Sequence, residues 1–172
     1  MAEIERTRER ERGPIADNAY ERNMRQRHET IERNRAGAVV VHPSDRQMIQ
    51  ARQGKLLYYL CPNNHPDTPL QHWRVFIHEI RTRSGKHRHQ GGLVIYVIDG
   101  KGYSIVDGER WDWEKGDLVL LPMKPEGVEH QHFNLDPAKP AVWAALINMP
   151  IHEYLASDFQ QVENSPDYKD GS

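Results

Sequence analysis

Residues 86–102 read KHRHQGGLVIYVIDGKG. Two histidines bracket one arginine, two glycines follow, and Leu93 to Ile98 then run apolar without a break. A run that short, bounded by glycine and rich in β-branched residues, reads as a buried strand. Side chains at i and i+2 of an extended chain share a face. His87 and His89 therefore point the same way. No carboxylate stands between His89 and Asp99.

The same spacing recurs in VEHQHFN, residues 128–134, where His130 and His132 stand two apart. One such pair on a strand is usually solvated surface. Two pairs in one short β-rich chain, each beside a glycine-bearing turn, point to metal. A barrel brings two pairs together across its lumen. Two imidazoles from one strand and one from another make a set of nitrogen donors that iron, zinc, nickel, copper or manganese accepts.

Outward from these stretches the pattern is consistent. AVVVHP, KLLYYLC, HWRVFIHEI, GYSIVDG, ERWDWE, DLVLLP and AVWAALINM are short runs rich in β-branched and aromatic residues. Gly, Pro, Asn or Asp separates most of them, which predicts an all-β sandwich or barrel. DGKG and VDGE read as tight hairpin turns. CPNNHPDTP reads as a loop, a lid or a subunit contact. Residues 1–36 form a charged arm with arginine and glutamate interleaved, a break at Gly13-Pro14, and a helix capped by Asp17. Its apolar stripe, Tyr20, Met24 and Ile31, is too thin to bury much alone, so the arm is expected either to be solvated or to lie across something larger, such as a neighbouring subunit. Residues 37–150 form the barrel, and 151–172 a short helix with a frayed polar tail.

Bulk composition bounds the function. A chain of 172 residues suits one domain. The formal net charge of −2 gives no global field for nucleic acid or an anionic membrane. No stretch is apolar enough to span a bilayer, and the N-terminus lacks the apolar segment of a secretory signal. Cys61 is the single cysteine, which fits a reducing cytoplasm. Ten histidines in this length call for a role.

The second histidine region resembles the cupin superfamily, small jelly-roll barrels that hold a metal at the mouth. Gly116, Pro122, Pro125-Glu126-Gly127, His130 and Asn134 follow that superfamily's second motif, with three extra residues. His87, His89 and Gly100 follow its first motif; Leu93 occupies the position of the motif's glutamate, and Arg81 that of its leading glycine. The resemblance covers residues 70–148. Within the superfamily, the stretch is most similar to the gentisate-type ring-cleaving dioxygenases, longer enzymes that also lack the glutamate. The implied fold is a cupin jelly-roll barrel, with the charged helical arm before it and a short helix after it. The implied metal ligands are His87, His89 and His130.

Three neutral imidazoles leave the charge of a divalent ion uncompensated, which favours anionic chelating substrates. With Fe(2+), three coordination positions remain for a bidentate aromatic ligand and dioxygen. Zn, Mn or Ni on the same residues would support a lyase, isomerase or decarboxylase. A non-catalytic binding or accessory subunit is the remaining alternative, and the charged arm favours it. His132 is expected to act on substrate as acid/base or hydrogen-bond donor. Arg81 and Arg83 are candidates to hold a substrate carboxylate. Leu93 lines the cavity floor if the Gly91-Gly92 pair does not invert strand parity, and Gln90 stands beside the first pair. His28, His42, His65 and His152 read as surface, and His72 and His78 as ordinary loop or core residues. The reading is a homodimer or higher oligomer of a cytoplasmic, iron-dependent dioxygenase of small molecules.

Overall fold

The computed structural model describes residues 18–62 and 64–169. Gly13-Pro14, Asp17 and the rest of the arm before residue 18 lie outside the described residues. Eleven strands form two antiparallel sheets among the described residues. The strands are β1 (Met48–Ala51), β2 (Gly54–Leu60), β3 (Trp73–Ile80), β4 (Lys86–His89), β5 (Leu93–Asp99), β6 (Lys101–Val106), β7 (Glu109–Glu114), β8 (Leu118–Leu121), β9 (Val128–Asn134), β10 (Ala141–Asn148) and β11 (Gln160–Glu163). Helix α1 spans Ala19–Ala36 and helix α2 spans Met149–Tyr154. One sheet runs β1-β2-β3-β10-β5-β8 and the other β11-β4-β9-β6-β7. They face each other as a jelly roll.

Alternation builds the core. Phe76 and Ile80 of β3, Leu93 and Ile95 of β5, and Trp143, Ala145 and Ile147 of β10 point inward and are buried. Their outward neighbours on β5 and β8 are also apolar: Val94, Tyr96, Ile98, Leu118 and Leu120 are exposed. The second sheet wears charge outside instead, where Lys86 reaches Glu163 (3.1 Å) and Glu129 (3.7 Å). Helix α1 is capped by Asn18, whose side chain accepts the Glu21 N–H (3.0 Å). Tyr20, Met24 and Ile31 are exposed on it. No helix among the described residues is long and apolar enough to cross a membrane.

Two turn readings part company. Asp107-Gly108 does close a two-residue hairpin between β6 and β7, with Val106 opposite Glu109 and both turn residues at positive φ (50° and 88°). Asp99-Gly100 does not: β5 and β6 belong to different sheets, so this is a corner where the chain changes layer. Gly91-Gly92, at φ 81° and 74°, makes the matching corner between β4 and β5. It leaves Leu93 inward. The tail is not frayed over residues 160–163. These form β11, which pairs with β4 and places Gln161 opposite His87. Polar composition concealed that strand, because an edge strand needs to bury only alternate residues.

The two glycine corners differ sharply in what surrounds them. A Cβ at Gly91 would run into the Pro122 carbonyl, whereas one at Gly108 would meet nothing within 4 Å. Both carry the backbone penalty of positive φ. Gly108→Ala is therefore expected to cost about 1 kcal/mol of unfolding free energy in urea titrations. Gly91→Ala should cost about 2–4 kcal/mol. Equal losses would mean that the β4–β5 corner is not held against Pro122.

Candidate metal centre

Strand register assembles the histidines. β4 pairs with β9 so that His87 lies directly opposite His130, and His89 opposite Val128. Cross-strand partners sit about 5 Å apart on one face, so three imidazoles from two strands meet. One ring nitrogen from each of His87, His89 and His130 lies within 4.8 Å of the others. Ring centroids of His130 stand 4.2 Å from His87 and 4.8 Å from His89, both edge-on. All three rings are buried.

The donor set suits a divalent transition metal. Nitrogens about 2.1 Å from one ion stand roughly 3–4 Å apart, so the rings need to draw in only a little. Nδ1 of His130 faces the Val128 carbonyl at 3.1 Å. Donating there leaves the other nitrogen of that ring with a free lone pair. Nδ1 of His87 is buried with no hydrogen-bond partner. His89 fits less directly. Its Nδ1 accepts the Gly91 N–H at 3.0 Å, so coordination through the other nitrogen requires that ring to turn or shift its proton.

Burial holds these rings neutral. Desolvation, then the mutual repulsion of the cluster, pushes His87 well below the ordinary imidazole range. The same two causes take His89 to about 3, and desolvation takes His130 to about 4. Neutral imidazole is the form that binds a cation.

His87 and His89 open onto a cavity of about 250 Å³. Leu93 lines it, as strand parity required, and Phe76, Ile147 and Tyr58 add apolar wall. Arg74, His152 and Phe159 complete that wall. The Phe159 ring lies 4.8 Å from His87 and 6.0 Å from His89. His152, read from sequence as surface, stands 6.1 Å from the His89 ring. A larger groove, about 580 Å³ between Trp111 of β7 and Leu118 and Leu120 of β8, contains none of the candidate ligands.

Other expected site residues lie elsewhere. His132 shares the inward face with His130 but does not line the cavity. Its Nδ1 is 2.7 Å from the Ser104 hydroxyl, which also accepts the Trp113 indole N–H at 2.9 Å. With that lone pair occupied, the hydroxyl is placed to donate to His132, so the ring is locked by its neighbours. Arg81 and Arg83 are exposed and do not line the cavity, and Arg83 faces Glu163 at 4.0 Å. Gln90 accepts the Asp158 N–H (2.8 Å) through its side chain, tying the C-terminal segment to the β4–β5 corner. His78 is a buried core residue, with desolvation lowering it to about 3. The arginine that does face the cavity, Arg74, escaped notice although it alternates in phase with Phe76, His78 and Ile80. Phe159 and His152 had no such signal, because a short helix, α2, carries His152 and the loop after it carries Phe159.

Comparison with known proteins agrees with the geometry. Residues 75–147 match the family described as "Cupin domain". The chain is 34% identical over 74 residues to a gentisate 1,2-dioxygenase of Ralstonia sp., a match covering 42% of this chain and 20% of that protein. It is 32% identical over 62 residues to an acireductone dioxygenase of Phaeosphaeria nodorum, covering 33% and 34%. The chain thus spans a third or less of the length of these relatives. A cupin-like protein from Thermotoga maritima superposes with a TM-score of 0.50 at 19% identity, over 80% of this chain and 96% of that one. That likeness concerns the fold alone.

The neutral rings make stability depend on pH. His78, His87, His89, His130 and His132 all have folded-state values lowered below the ordinary 6.5. The unfolded chain therefore binds more protons than the folded one as pH falls below about 6.5, and stability is lost progressively as pH falls from there. For the metal-free protein, the urea midpoint should be level above pH 7 and fall steadily from pH 6.5 to 5. A midpoint unchanged across that interval would contradict neutral burial.

Proposed function

We propose that this cupin barrel is a dioxygenase that binds Fe(2+) through His87, His89 and His130 and oxidises an aromatic or similarly bidentate small molecule with dioxygen. The observation that carries the reading is the convergence of three neutral, buried imidazoles, with no carboxylate among them, two of which, His87 and His89, line a largely apolar cavity. The dioxygenase names of the two sequence relatives support the reaction class. A bound redox-active metal would let electron density pass between a chelated substrate and dioxygen.

The chain's own residues supply the rest. Leu93, Phe76 and Ile147 exclude water and present a surface that suits a planar ring. Phe159 covers His87 and His89 from the side. His132 acts at one remove as a positioning residue: Ser104 and Trp113 fix its ring, which stands 5.5 Å from that of His130. Self-association belongs to the same proposal, through the outward apolar residues of β5 and β8. Sedimentation of the purified chain tests that part. A reducing cytoplasm suits the single free cysteine.

Anaerobic reconstitution with Fe(2+), elemental analysis, and oxygen uptake with a panel of hydroxylated benzoates test the activity. His130→Ala should abolish both iron binding and uptake. His132→Ala should retain the metal and lower the rate about 10- to 100-fold. Turnover without oxygen consumption would instead establish a non-oxidative reaction on the same ligands.

A further inference from the structure

Among the described residues, the cavity beside the histidines is lined by no aspartate or glutamate, and Arg74 is its one permanently charged residue. An arginine so placed ordinarily pairs with an acid, because a guanidinium withdrawn from water is costly when unpaired. No ion pair of Arg74 occurs among the described residues. Its Nε is buried and has no hydrogen-bond partner among them. β3 points this side chain inward in phase with Phe76, and Ile147 of β10 lies opposite it across the sheet. Its charge is felt by both Tyr58 and His152. The cavity therefore presents two kinds of polar group: the neutral histidine set, which would become positive only with a metal bound, and the partnerless planar fork of Arg74.

We infer that Arg74 determines specificity, holding a carboxylate of the substrate that takes no part in metal chelation. The inference rests on the cavity being the substrate site. It narrows the substrate class to a single-ring aromatic acid with an adjacent pair of hydroxyl or amino donors remote from the carboxylate. The donor pair faces the histidines and the carboxylate faces Arg74. A cavity of about 250 Å³ admits one substituted ring and little more. A carboxylate and guanidinium match as two parallel charge-assisted hydrogen bonds through Nε and one terminal nitrogen. Lysine offers a point charge without that fork. An ortho-hydroxy acid that chelates through its own carboxylate would leave Arg74 without a partner.

The test uses the full chain as wild type, Arg74→Gln and Arg74→Lys, in calorimetric titrations without oxygen. Metal-free protein is titrated with benzoate. Protein loaded with Fe(2+) is titrated with catechol and with 3,4-dihydroxybenzoate. Wild type should bind 3,4-dihydroxybenzoate about tenfold or more tightly than catechol. Arg74→Gln should bring that ratio close to one while leaving catechol affinity unchanged, and Arg74→Lys should fall between. Benzoate should bind the metal-free wild type and fail to bind Arg74→Gln. A wild-type ratio near one, or a ratio unaltered in Arg74→Gln, overturns the inference. Circular dichroism verifies that each variant folds; if Arg74→Gln does not, the wild-type ratio decides alone. Failure of the metal reading is distinct: catechol binding and iron uptake would be missing while benzoate binding to the metal-free chain persisted.

Discussion

Everything at the candidate centre depends on the register between β4 and β9. Because His87 is paired directly with His130, the imidazoles converge without help from any loop. A one-residue slip would turn His87 and His89 outward, where Lys86 and Arg88 now meet Glu129. Those outward ion pairs and the inward histidines are thus two faces of one specification. The Gly91-Gly92 corner fixes where β4 must stop, and Pro122 leaves no room for a side chain there. Register, corner and burial together hold the rings neutral in a dry place.

The electrostatics of the cavity follow from what is missing. A carboxylate in the position of Leu93 would have cancelled part of a metal's charge and offered Arg74 a possible counter-ion. With leucine there, the pocket is apolar in its walls and positive in character. Such an interior is stable only because its imidazoles shed their protons and a single guanidinium is tolerated at the rim. Away from the imidazole nitrogens, it is poorly matched to cationic substrates and well matched to small planar anions.

Much of this was legible in the sequence. Period-two histidines, apolar runs and glycine punctuation are local signals, and they led to the barrel and the two histidine pairs; the choice of His87, His89 and His130 came with the family resemblance, and the direction of Leu93 depends on the Gly91-Gly92 turn. What stayed hidden was non-local. Nothing in DGKG distinguishes a hairpin from a corner between layers, since both need a residue at positive φ. β11 is polar because it is an edge strand, and its pairing with β4 spans some seventy residues. Phe159 reaches the histidines from the residue just before β11, and His152 from α2 at the end of β10. Arg74 could have been found: an arginine in phase with Phe76, His78 and Ile80 carries more information than Arg81 or Arg83, which are nearer the motif in sequence but exposed.

The return of the C-terminal segment also has a temporal side. β4 has β9 on one flank and β11 on the other, and Phe159 shields the rings from beside β11. During synthesis the histidines are therefore made long before their shelter. Whatever cover Phe159 gives the rings therefore depends on a late, long-range closure of β11 onto β4, and not on the strands that bring the imidazoles together.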